Sequence, residues 1–313
     1  MAAAARLAAR GRPLSNPNPA VAAIIVNNGI VVGRGWTQPG GRPHAEAVAL
    51  EQAGEQARGA TMYVTLEPCA HDSARGPACA DLIANSGLAS VVIGQSDPDP
   101  RTAGQGAARI ADAGIEVSVL EDPASQESLC GYLALRQLGR PFITLKLAIS
   151  RDGFIARPAG GEQWITGEEA RAHVHARRAK QDAILVGGGT WRKDKPGLDV
   201  RLPGIEDRSP QRYVLTQDPL PDGTIALASP DAVFALEGVQ FLYVEGGAGA
   251  AQAFLGADLV DRLELYRASI DVGDGLRAPA GLDRATLDAS DVWRLAEQCQ
   301  LGSDRFTAYS RAR

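Results

Sequence analysis

The sequence is poor in cysteine, has no excess of basic residues and contains no long apolar run. Four cysteines among 313 residues are too few for a disulfide framework, and this usage is typical of a reducing compartment, so we expect a cytoplasmic protein. A net charge of −5 offers no attraction for a nucleic-acid backbone. No stretch is apolar for long enough to span a bilayer. These absences predict a protein with neither a nucleic-acid nor a membrane partner.

The composition is that of a soluble globular protein, with 45% hydrophobic and 22% charged residues. A length of 313 residues suffices for two ordinary domains. The first twelve residues, MAAAARLAARGR, lack the Leu- and Val-rich core of a secretory signal. They favour an amphipathic helix ended by Gly11, with a signal peptide as the alternative.

Predicted strands and helices alternate along both halves of the chain, a pattern typical of a sheet with helices on its faces. In the first half, predicted strands cover residues 21–26, 30–35, 61–66, 90–94 and 115–120, and predicted helices cover 43–55, 77–85 and 104–113. In the second half, predicted strands cover 142–149, 183–186, 213–216, 241–244 and 263–268, and a predicted helix covers 168–180. A helical pattern over 121–139 ends at Arg140-Pro141, where we place the boundary between domains 1–140 and 141–313.

Three side chains that bind zinc well lie within a short stretch of the first half, together with a glutamate. His44 and Glu46 form an H-x-E segment, and Cys69, in the sequence EPC, is followed by Cys79. A catalytic zinc takes three protein ligands and keeps one position for water, whose pKa falls to about 7. His44, Cys69 and Cys79 supply the three ligands, and Glu46 is left to carry the proton from water to a leaving amine. This arrangement predicts a hydrolytic deaminase.

Plainer interpretations of the same residues remain open. An isolated His-x-Glu on a helix is usually a solvated polar face, and an isolated buried cysteine usually packs in a core. A structural zinc site needs a fourth ligand, for which His71 is the only nearby residue. Such a site would leave Glu46 without a purpose, so the catalytic interpretation is favoured.

The spacing of the two cysteines separates this chain from the general deaminase pattern, in which they form C-x-x-C. Here residues 70–78 lie between them, and the motif reads EPC-x-H followed by P-x-C. This long-loop form resembles the pyrimidine deaminase of riboflavin biosynthesis, as does the early segment Pro17-Asn18-Pro19. The resemblance implies 2,5-diamino-6-(5-phosphoribosylamino)pyrimidin-4-one as the substrate. It also implies that Asn18 contacts the substrate base, with a turn as the alternative role.

The resemblance continues through the second half, so nearly the whole sequence is similar to the bifunctional deaminase/reductase family of riboflavin biosynthesis. It implies an α/β protein with an N-terminal cytidine-deaminase-like α/β/α domain and a C-terminal dihydrofolate-reductase-like α/β domain. It also implies Zn²⁺ and NADPH as cofactors, reduction of the ribosyl group to ribityl, and a homo-oligomer. The implied cofactor-binding residues are Ala148, Trp164, Thr190, Asp194, Gly246 and Gly247. The implied substrate-binding residues of this half are Lys146, Glu162, Arg178, Leu198, Arg201 and Glu245.

The chemistry of several of these residues agrees with the implied roles. Backbone N–H groups of Gly246 and Gly247 could approach a phosphate, although an ordinary glycine-rich turn is the alternative. Arg178 and Arg201 could hold the ribose phosphate as guanidinium forks, with solvated surface arginine as the alternative. Lys146 lies in an otherwise apolar strand, which indicates a buried or ligand-facing ammonium group.

Two positions depart from the family pattern: Glu162 stands where a serine is usual, and Lys195 where a second aspartate is usual. These departures predict an altered second site. Two other hypotheses therefore stand beside the bifunctional one. The first is a deaminase of another free pyrimidine or guanine, with an impaired reductase-like domain. The second is a zinc-stabilised module that binds a nucleotide without turnover.

Overall fold

The computed structural model describes residues 1–71, 73–158 and 164–312. The chain divides into two compact units, Met1–Arg140 and Pro141–Arg313. Across the part of the chain that the structure describes, no helix combines the length and the apolar character that a membrane span requires.

A five-stranded mixed sheet forms the centre of the first unit. Its strands are β1 (Ala22–Asn27), β2 (Ile30–Trp36), β3 (Thr61–Val64), β4 (Ser90–Ile93) and β5 (Glu116–Val119). They lie in the order β2–β1–β3–β4–β5, with β1 antiparallel to both of its neighbours and with β3, β4 and β5 parallel. The two-residue turn between β1 and β2 is Asn28-Gly29, and both residues have the positive φ that such a hairpin requires.

The helices of the first unit are short and surround this sheet. In the described residues they are α1 (Ala2–Ala8), α2 (Ala45–Ala53), α3 (Cys79–Ala84), α4 (Gln105–Asp112), α5 (Pro123–Ser128) and α6 (Cys130–Leu138). The predicted helix start at residue 77 is wrong: Ala78 is extended, and the Cys79 N–H bonds to the Cys69 sulfur at 3.3 Å. The helical pattern over 121–139 forms two helices, because Leu129 leaves the helical conformation between them.

Helix α2 packs closely on strand β2 because the strand has glycine where it passes the helix. A Cβ on Gly33 would lie 2.2 Å from the carbonyl oxygen of Ala49, and one on Gly35 would lie 2.1 Å from that of Ala45. Helix α2 begins directly after His44 and carries Glu46 in its first turn. The two glycines therefore set the distance between the sheet and the residues of the H-x-E motif.

We expect Gly35→Ala to lower the free energy of unfolding of the first unit by about 3 kcal/mol, because helix α2 must move away from the sheet. Calorimetric thermal unfolding measures the change. Gly256→Ala is the matched control, because a Cβ there meets no atom within 4 Å and alanine favours a helix. If both variants unfolded like the wild type, close packing of α2 on β2 would not depend on the glycine.

An eight-stranded sheet forms the centre of the second unit. Its strands are β6 (Phe142–Ile149), β8 (Ala183–Gly187), β9 (Gln211–Leu215), β10 (Thr224–Leu227), β11 (Phe241–Val244), β12 (Arg262–Arg267), β14 (Trp293–Leu301) and β15 (Asp304–Arg311). Two short strands, β7 (Phe154–Ala156) and β13 (Leu276–Arg277), pair separately. The large sheet has the order β10–β9–β8–β11–β6–β12–β15–β14. The strands from β10 to β12 are parallel, and β15 is antiparallel to both β12 and β14.

The central strands of this sheet, including β8 and β11, are apolar and almost completely buried, as parallel strands covered on both faces usually are. The helices described for this unit are α7 (Glu168–Arg178), α8 (Gly188–Asp194), α9 (Ala248–Gly256) and α10 (Arg284–Asp288). The C-terminal hairpin of β14 and β15 was not predicted from the sequence. Strand β14 is exposed along most of its length and contains no continuous apolar run of the kind seen in β8 and β11.

Candidate metal centre and cofactor cleft

The predicted zinc ligands lie together in the first unit. The Nδ1 atom of His44 is 3.6 Å from the Cys69 sulfur and 3.3 Å from the Cys79 sulfur. One ligand atom from each residue lies within 4.8 Å of the other two. Tetrahedral zinc with its usual bond lengths places nitrogen and sulfur ligands about 3.5 Å apart, so these separations fit a zinc ion. Among the described residues, His71 does not join the group, so the structure does not support a four-ligand structural site.

The backbone brings these ligands together at the starts of two helices. His44 has an extended backbone immediately before α2, with φ −73° and ψ 164°. Cys79 is the first residue of α3, where the helix dipole favours a thiolate. The N–H of Ala80 donates to the Cys69 carbonyl oxygen over 3.1 Å, which holds the two ends of the loop between the cysteines close together.

Glu67 ties the EPC segment to helix α4. Its carboxylate accepts hydrogen bonds from the backbone N–H groups of Gly104 and Ala107, each at 3.1 Å, at the start of that helix. It also accepts one from the N–H of Asp97 at 3.3 Å. Glu67 therefore has a structural role: it fixes the loop after β4 and the segment that carries Cys69.

The pKa values of the two thiols are shifted in opposite directions. Hydrogen bonds from Cys79 and His44 lower the pKa of Cys69 to about 3, so this cysteine is a thiolate at neutral pH. The hydrogen bond to Cys69 and burial both raise the pKa of Cys79. Burial alone would lower the pKa of His44, but its hydrogen bond to Cys69 and the nearby Glu46 carboxylate raise it overall. A positive metal ion would replace the protons that these groups now share.

Glu46 is a buried carboxyl group beside the ligands. Only 3% of the residue is exposed, and it lines the same cavity as His44 and Cys69. Burial raises the pKa of Glu46 above its ordinary value. A carboxyl group with a raised pKa holds a proton more readily than an exposed one, which suits the proton transfers that a deaminase requires of its non-ligand glutamate.

The cavity above these residues has a volume of about 220 Å³ and includes residues that sequence reasoning missed. The loop after β4 contributes Asp97 and Asp99, and helix α6 contributes Tyr132 and Arg136. A signal for the loop was available, because polar residues that follow the carboxyl end of a parallel strand often line a binding site. Tyr132 and Arg136 had no such signal, since they come from a helix beyond the last strand of the unit.

Of the four described arginines that line this cavity, two are paired with a carboxylate and two are not. The Arg101 guanidinium lowers the pKa of Asp99, and Arg136 lies 3.3 Å from the same carboxylate. Among the described residues, Arg42 and Arg75 hydrogen-bond only to backbone carbonyl oxygens, those of Pro77 at 3.3 Å and Gly40 at 2.6 Å respectively. Both line the cavity, so they are the cations most able to receive an anionic group there.

Asn18, predicted to contact the substrate base, lies beside the metal motif. Its Nδ2 atom is 3.0 Å from the Nε2 atom of His44, and it donates a hydrogen bond to the Gly41 carbonyl oxygen at 3.0 Å. The side chain also lines the cavity. The structure therefore places Asn18 where it touches a ligand residue directly.

In the second unit, three of the predicted substrate-binding residues form one buried ion cluster. Arg178, the last residue of α7, approaches Glu245 with Nε at 2.5 Å and Nη2 at 3.0 Å from the two carboxylate oxygens. Lys146 of β6 lies 3.5 Å from the same carboxylate. Burial would raise the pKa of Glu245, but the two cations outweigh it and lower that pKa to about 2. Glu245 is therefore ionised and held in one orientation.

Glycines line a cleft next to this cluster. The cavity has a volume of about 440 Å³, within the usual range for a cofactor site. Thr190, Asp194, Glu245, Gly246 and Gly247 all line it, so the structure brings these predicted residues together. Helix α9 begins immediately after Gly247, and its first N–H groups are of the kind that binds phosphate. A Cβ on Gly247 would lie 3.0 Å from the Thr190 hydroxyl, so any larger residue there would crowd this side of the cleft.

The remaining predicted residues are more scattered. Leu198 is 3% exposed and packs in a core group with Ile184 and Tyr243. Arg201 is exposed and pairs with Asp199 at 3.0 Å. Ala148 and Trp164 do not appear among the described residues that line the cleft. Ala148 lies on β6, Trp164 is half exposed with the Arg171 guanidinium 5.4 Å above its ring, and Glu162 falls outside the described residues.

Comparison with known proteins agrees with both units. Residues 1–95 match the family described as the cytidine and deoxycytidylate deaminase zinc-binding region, and residues 141–234 match the RibD C-terminal domain. The riboflavin biosynthesis protein RibD of Haemophilus influenzae is 36% identical, and the match covers 97% of this chain and 94% of that relative. This chain belongs to the RibD family. The RibD of Corynebacterium ammoniagenes is 40% identical over 85% of this chain and 83% of its own length.

Solved RibD structures share the architecture along the whole chain. Acinetobacter baumannii RibD superposes with a TM-score of 0.84 at 32% identity and covers 99% of this chain. A Thermotoga maritima protein superposes with a TM-score of 0.86 at 30% identity, again over 99% of this chain and 97% of its own. These findings confirm the predicted pair of folds, cytidine-deaminase-like and dihydrofolate-reductase-like. As a RibD protein, the chain is a bifunctional enzyme of riboflavin biosynthesis, with a zinc-binding deaminase domain and an NADPH-using reductase domain.

Proposed function

We propose that the chain deaminates 2,5-diamino-6-(5-phosphoribosylamino)pyrimidin-4-one in residues 1–140 and reduces the ribosyl group of the product in residues 141–313. The observation that carries the first step is the meeting of His44, Cys69 and Cys79 with buried Glu46 at one cavity. The T. maritima relative, a diaminohydroxyphosphoribosylaminopyrimidine deaminase and 5-amino-6-(5-phosphoribosylamino)uracil reductase, supports the choice of substrate. The enzyme acts as a cytoplasmic homo-oligomer on a small molecule, without a nucleic-acid or membrane partner.

In the deaminase domain, His44 Nδ1 and the sulfurs of Cys69 and Cys79 would hold the zinc ion. Zinc, when bound, makes a water molecule acidic enough to act as hydroxide near neutral pH. Glu46 accepts the proton that this water loses as its oxygen adds to the ring carbon that bears the amine. Glu46 first passes this proton to the ring nitrogen. It then takes the remaining proton of the added oxygen and gives it to the amine, so that the C–N bond breaks, ammonia leaves and the ring carbon keeps a carbonyl oxygen. Burial raises the pKa of Glu46 above its ordinary value, so this side chain holds a transferred proton more readily than an exposed carboxylate does.

The phosphate of the substrate is bound by Arg42 and Arg75. Both guanidinium groups line the cavity, and their hydrogen bonds to backbone carbonyls leave their charge unneutralised among the described residues. Arg101 and Arg136 are less suited, because Asp99 already neutralises them. Asn18 lines the same cavity beside His44, where the pyrimidine ring of the substrate would lie.

In the reductase domain, the N–H groups at Gly246 and Gly247 bind the phosphates of the cofactor, and Thr190 and Asp194 line the same cleft. NADPH, when bound, supplies a hydride to the opened ribose carbon. Glu245, oriented by its ion pairs, accepts hydrogen bonds from the sugar hydroxyls. The other roles proposed from the sequence are cofactor contacts for Ala148 and Trp164 and substrate contacts for Lys146, Glu162, Arg178, Leu198 and Arg201.

A substrate competition tests the deaminase assignment. Ammonia release by the zinc-loaded protein is measured with the diaminopyrimidine ribosyl phosphate, with cytidine and with guanine, each alone and in pairs. We expect release from the ribosyl phosphate only. Arg75→Gln is expected to raise the KM for this substrate about tenfold with little change in kcat, because it removes ground-state binding. Equal or faster release from cytidine or guanine would overturn the substrate assignment.

A further inference from the structure

The cofactor cleft of the second unit crosses the carboxyl ends of several strands. Its lining includes Leu215 at the end of β9, Gly188 directly after β8 and Glu245 directly after β11. These strands lie in the order β9–β8–β11, so Leu215 and Glu245 stand two strands apart in the sheet. Glu245 is the proposed contact of the ribose that is reduced, so the nicotinamide ring must reach its part of the cleft. The adenosine half of the cofactor is then left for the end formed by β8 and β9.

NADPH differs from NADH by one phosphate group on the 2′-hydroxyl of its adenosine ribose. Such a phosphate monoester carries a charge of about −1.5 to −2 at pH 7. Rossmann folds that accept this phosphate place an arginine near the ribose, whereas those that bind NADH place an acidic residue on the free 2′-hydroxyl. By the same electrostatic reasoning, a reductase that uses NADPH needs a cation at the adenosine end of its cleft.

Arg192 of helix α8 provides a cation at this end. A Cβ on Gly188 would lie 3.2 Å from Arg192 Nη1 and 3.2 Å from the Leu215 carbonyl oxygen. The guanidinium group and the end of β9 therefore approach the same side of Gly188. Because Gly188 and Leu215 both line the cleft, the guanidinium group lies at the rim of the adenosine end.

The carboxylate that pairs with Arg192 is exposed to solvent. Asp218 Oδ2 lies 2.8 Å from Arg192 Nη1, and the side chains of Arg192 and Asp218 are 65% and 64% exposed. Exposed ion pairs of this kind contribute little to stability. A phosphate offers the guanidinium group two parallel charge-assisted hydrogen bonds, so it can replace the carboxylate. Asp218 opposes the binding of a 2′-phosphate, because it occupies the same cation and repels the added negative charge.

Lys193 is a second cation of the same helix. It lines the cleft itself, but so does Asp194, the next residue. A carboxylate in the same cleft offsets the attraction of this ammonium group for a phosphate. The planar fork of an arginine also matches phosphate geometry better than the point charge of a lysine does. Both considerations favour Arg192 as the phosphate contact.

We propose that Arg192 is a specificity-determining residue of the reductase, which exchanges the Asp218 carboxylate for the 2′-phosphate of NADPH. The inference rests on the proposed cofactor cleft beside Glu245. Arg192 then sets the preference for NADPH over NADH, and Asp218 limits that preference.

Equilibrium binding tests this inference without using the reaction. Calorimetric titration of the full chain, without substrate, gives the dissociation constants of NADPH and NADH for the wild type and for Arg192→Gln, Asp218→Asn and Lys193→Gln. We expect Arg192→Gln to weaken NADPH binding about 10- to 100-fold, the usual effect of losing a hydrogen bond between charged groups, and to leave NADH binding unchanged. Asp218→Asn should tighten NADPH binding about threefold, because an exposed competing ion pair is lost. Lys193→Gln should change the ratio of the two constants by less than about threefold, because solvent screens this charge.

The outcomes separate the alternatives. An unchanged ratio of the two dissociation constants in Arg192→Gln, including equal weakening of both cofactors, would overturn the inference. Loss of the NADPH preference in Lys193→Gln would assign the phosphate to Lys193 and overturn it as well. A wild-type protein that bound neither cofactor would instead contradict the proposed cleft itself. Arg192 and Asp218 are exposed, so we expect their variants to fold, and circular dichroism checks this.

Discussion

Glu46→Gln is expected to abolish measurable ammonia release while zinc remains bound at one ion per chain. The amide has the shape of the carboxyl group, but it can neither accept the proton of the attacking water nor return it to the leaving amine. General acid–base catalysis by one group contributes about 10²- to 10⁴-fold. Since Glu46 handles every proton transfer in the proposed reaction, we expect the loss to lie at or above the upper end of that range. Ammonia release and zinc content are measured on the same sample.

Glu51→Gln is the matched control, because this glutamate lies on the same helix and is exposed. It should leave both zinc content and ammonia release unchanged. The Glu46→Gln protein should still oxidise NADPH when it is given the deaminated product, since the reductase domain is intact. Ammonia release by Glu46→Gln at more than a tenth of the wild-type rate would contradict the role assigned to Glu46. A parallel loss of zinc would show that Glu46 supports the metal and not only the proton transfers.

Arg178→Met is expected to destabilise the second unit by about 3 kcal/mol, because it leaves the buried Glu245 carboxylate with Lys146 as its remaining cation. Urea unfolding followed by tryptophan fluorescence measures the change, and three of the four tryptophans lie in this unit. Arg201→Met is the control: its ion pair with Asp199 is exposed, and such pairs contribute at most about 1 kcal/mol. Equal effects of the two substitutions would contradict the description of a buried ion cluster.

The pH dependence of this effect follows from the lowered pKa of Glu245. A carboxyl group whose pKa is lower in the folded state stabilises the fold above its unfolded value, which is about 4.3, and that contribution disappears as the pH falls towards 2. Loss of Arg178 raises this pKa again. The difference in unfolding free energy between the wild type and Arg178→Met should therefore be full at pH 7 and shrink below about pH 4. A difference that stayed constant from pH 7 to pH 3 would mean that the variant acts through lost packing alone.

The metal centre could be predicted from the sequence because its ligands and its glutamate lie in short, recognisable sequence motifs. His44 and Glu46 are two residues apart, and the unusual combination of EPC with a second cysteine has few other uses. Buried parallel strands such as β8 and β11 were also predictable, because they are short apolar runs. The start of α3 was not, because it depends on the Cys79 N–H bonding to a sulfur from another segment.

The partners of charged residues could not be predicted from the sequence. Arg178 and Glu245 were both predicted to bind substrate, yet they lie 67 positions apart and bond to each other. Leu198 was predicted at the same site, and the structure places its side chain in a core group. The cavity residues Tyr132 and Arg136 reach the deaminase site from a helix that carries no motif. Such contacts depend on how segments that are distant in sequence pack together. A local sequence pattern does not predict that packing.

The most direct test of the account is the ratio of ammonia released to NADPH oxidised by the purified, zinc-loaded protein when it is given the diaminopyrimidine ribosyl phosphate. If one chain carries out both steps in the proposed order, each mole of ammonia is followed by one mole of NADPH oxidised, and ammonia appears first. Glu46→Gln should then give neither product from this substrate. NADPH oxidation without ammonia release would contradict the order of the steps, and ammonia without NADPH oxidation would contradict a working reductase in the second unit.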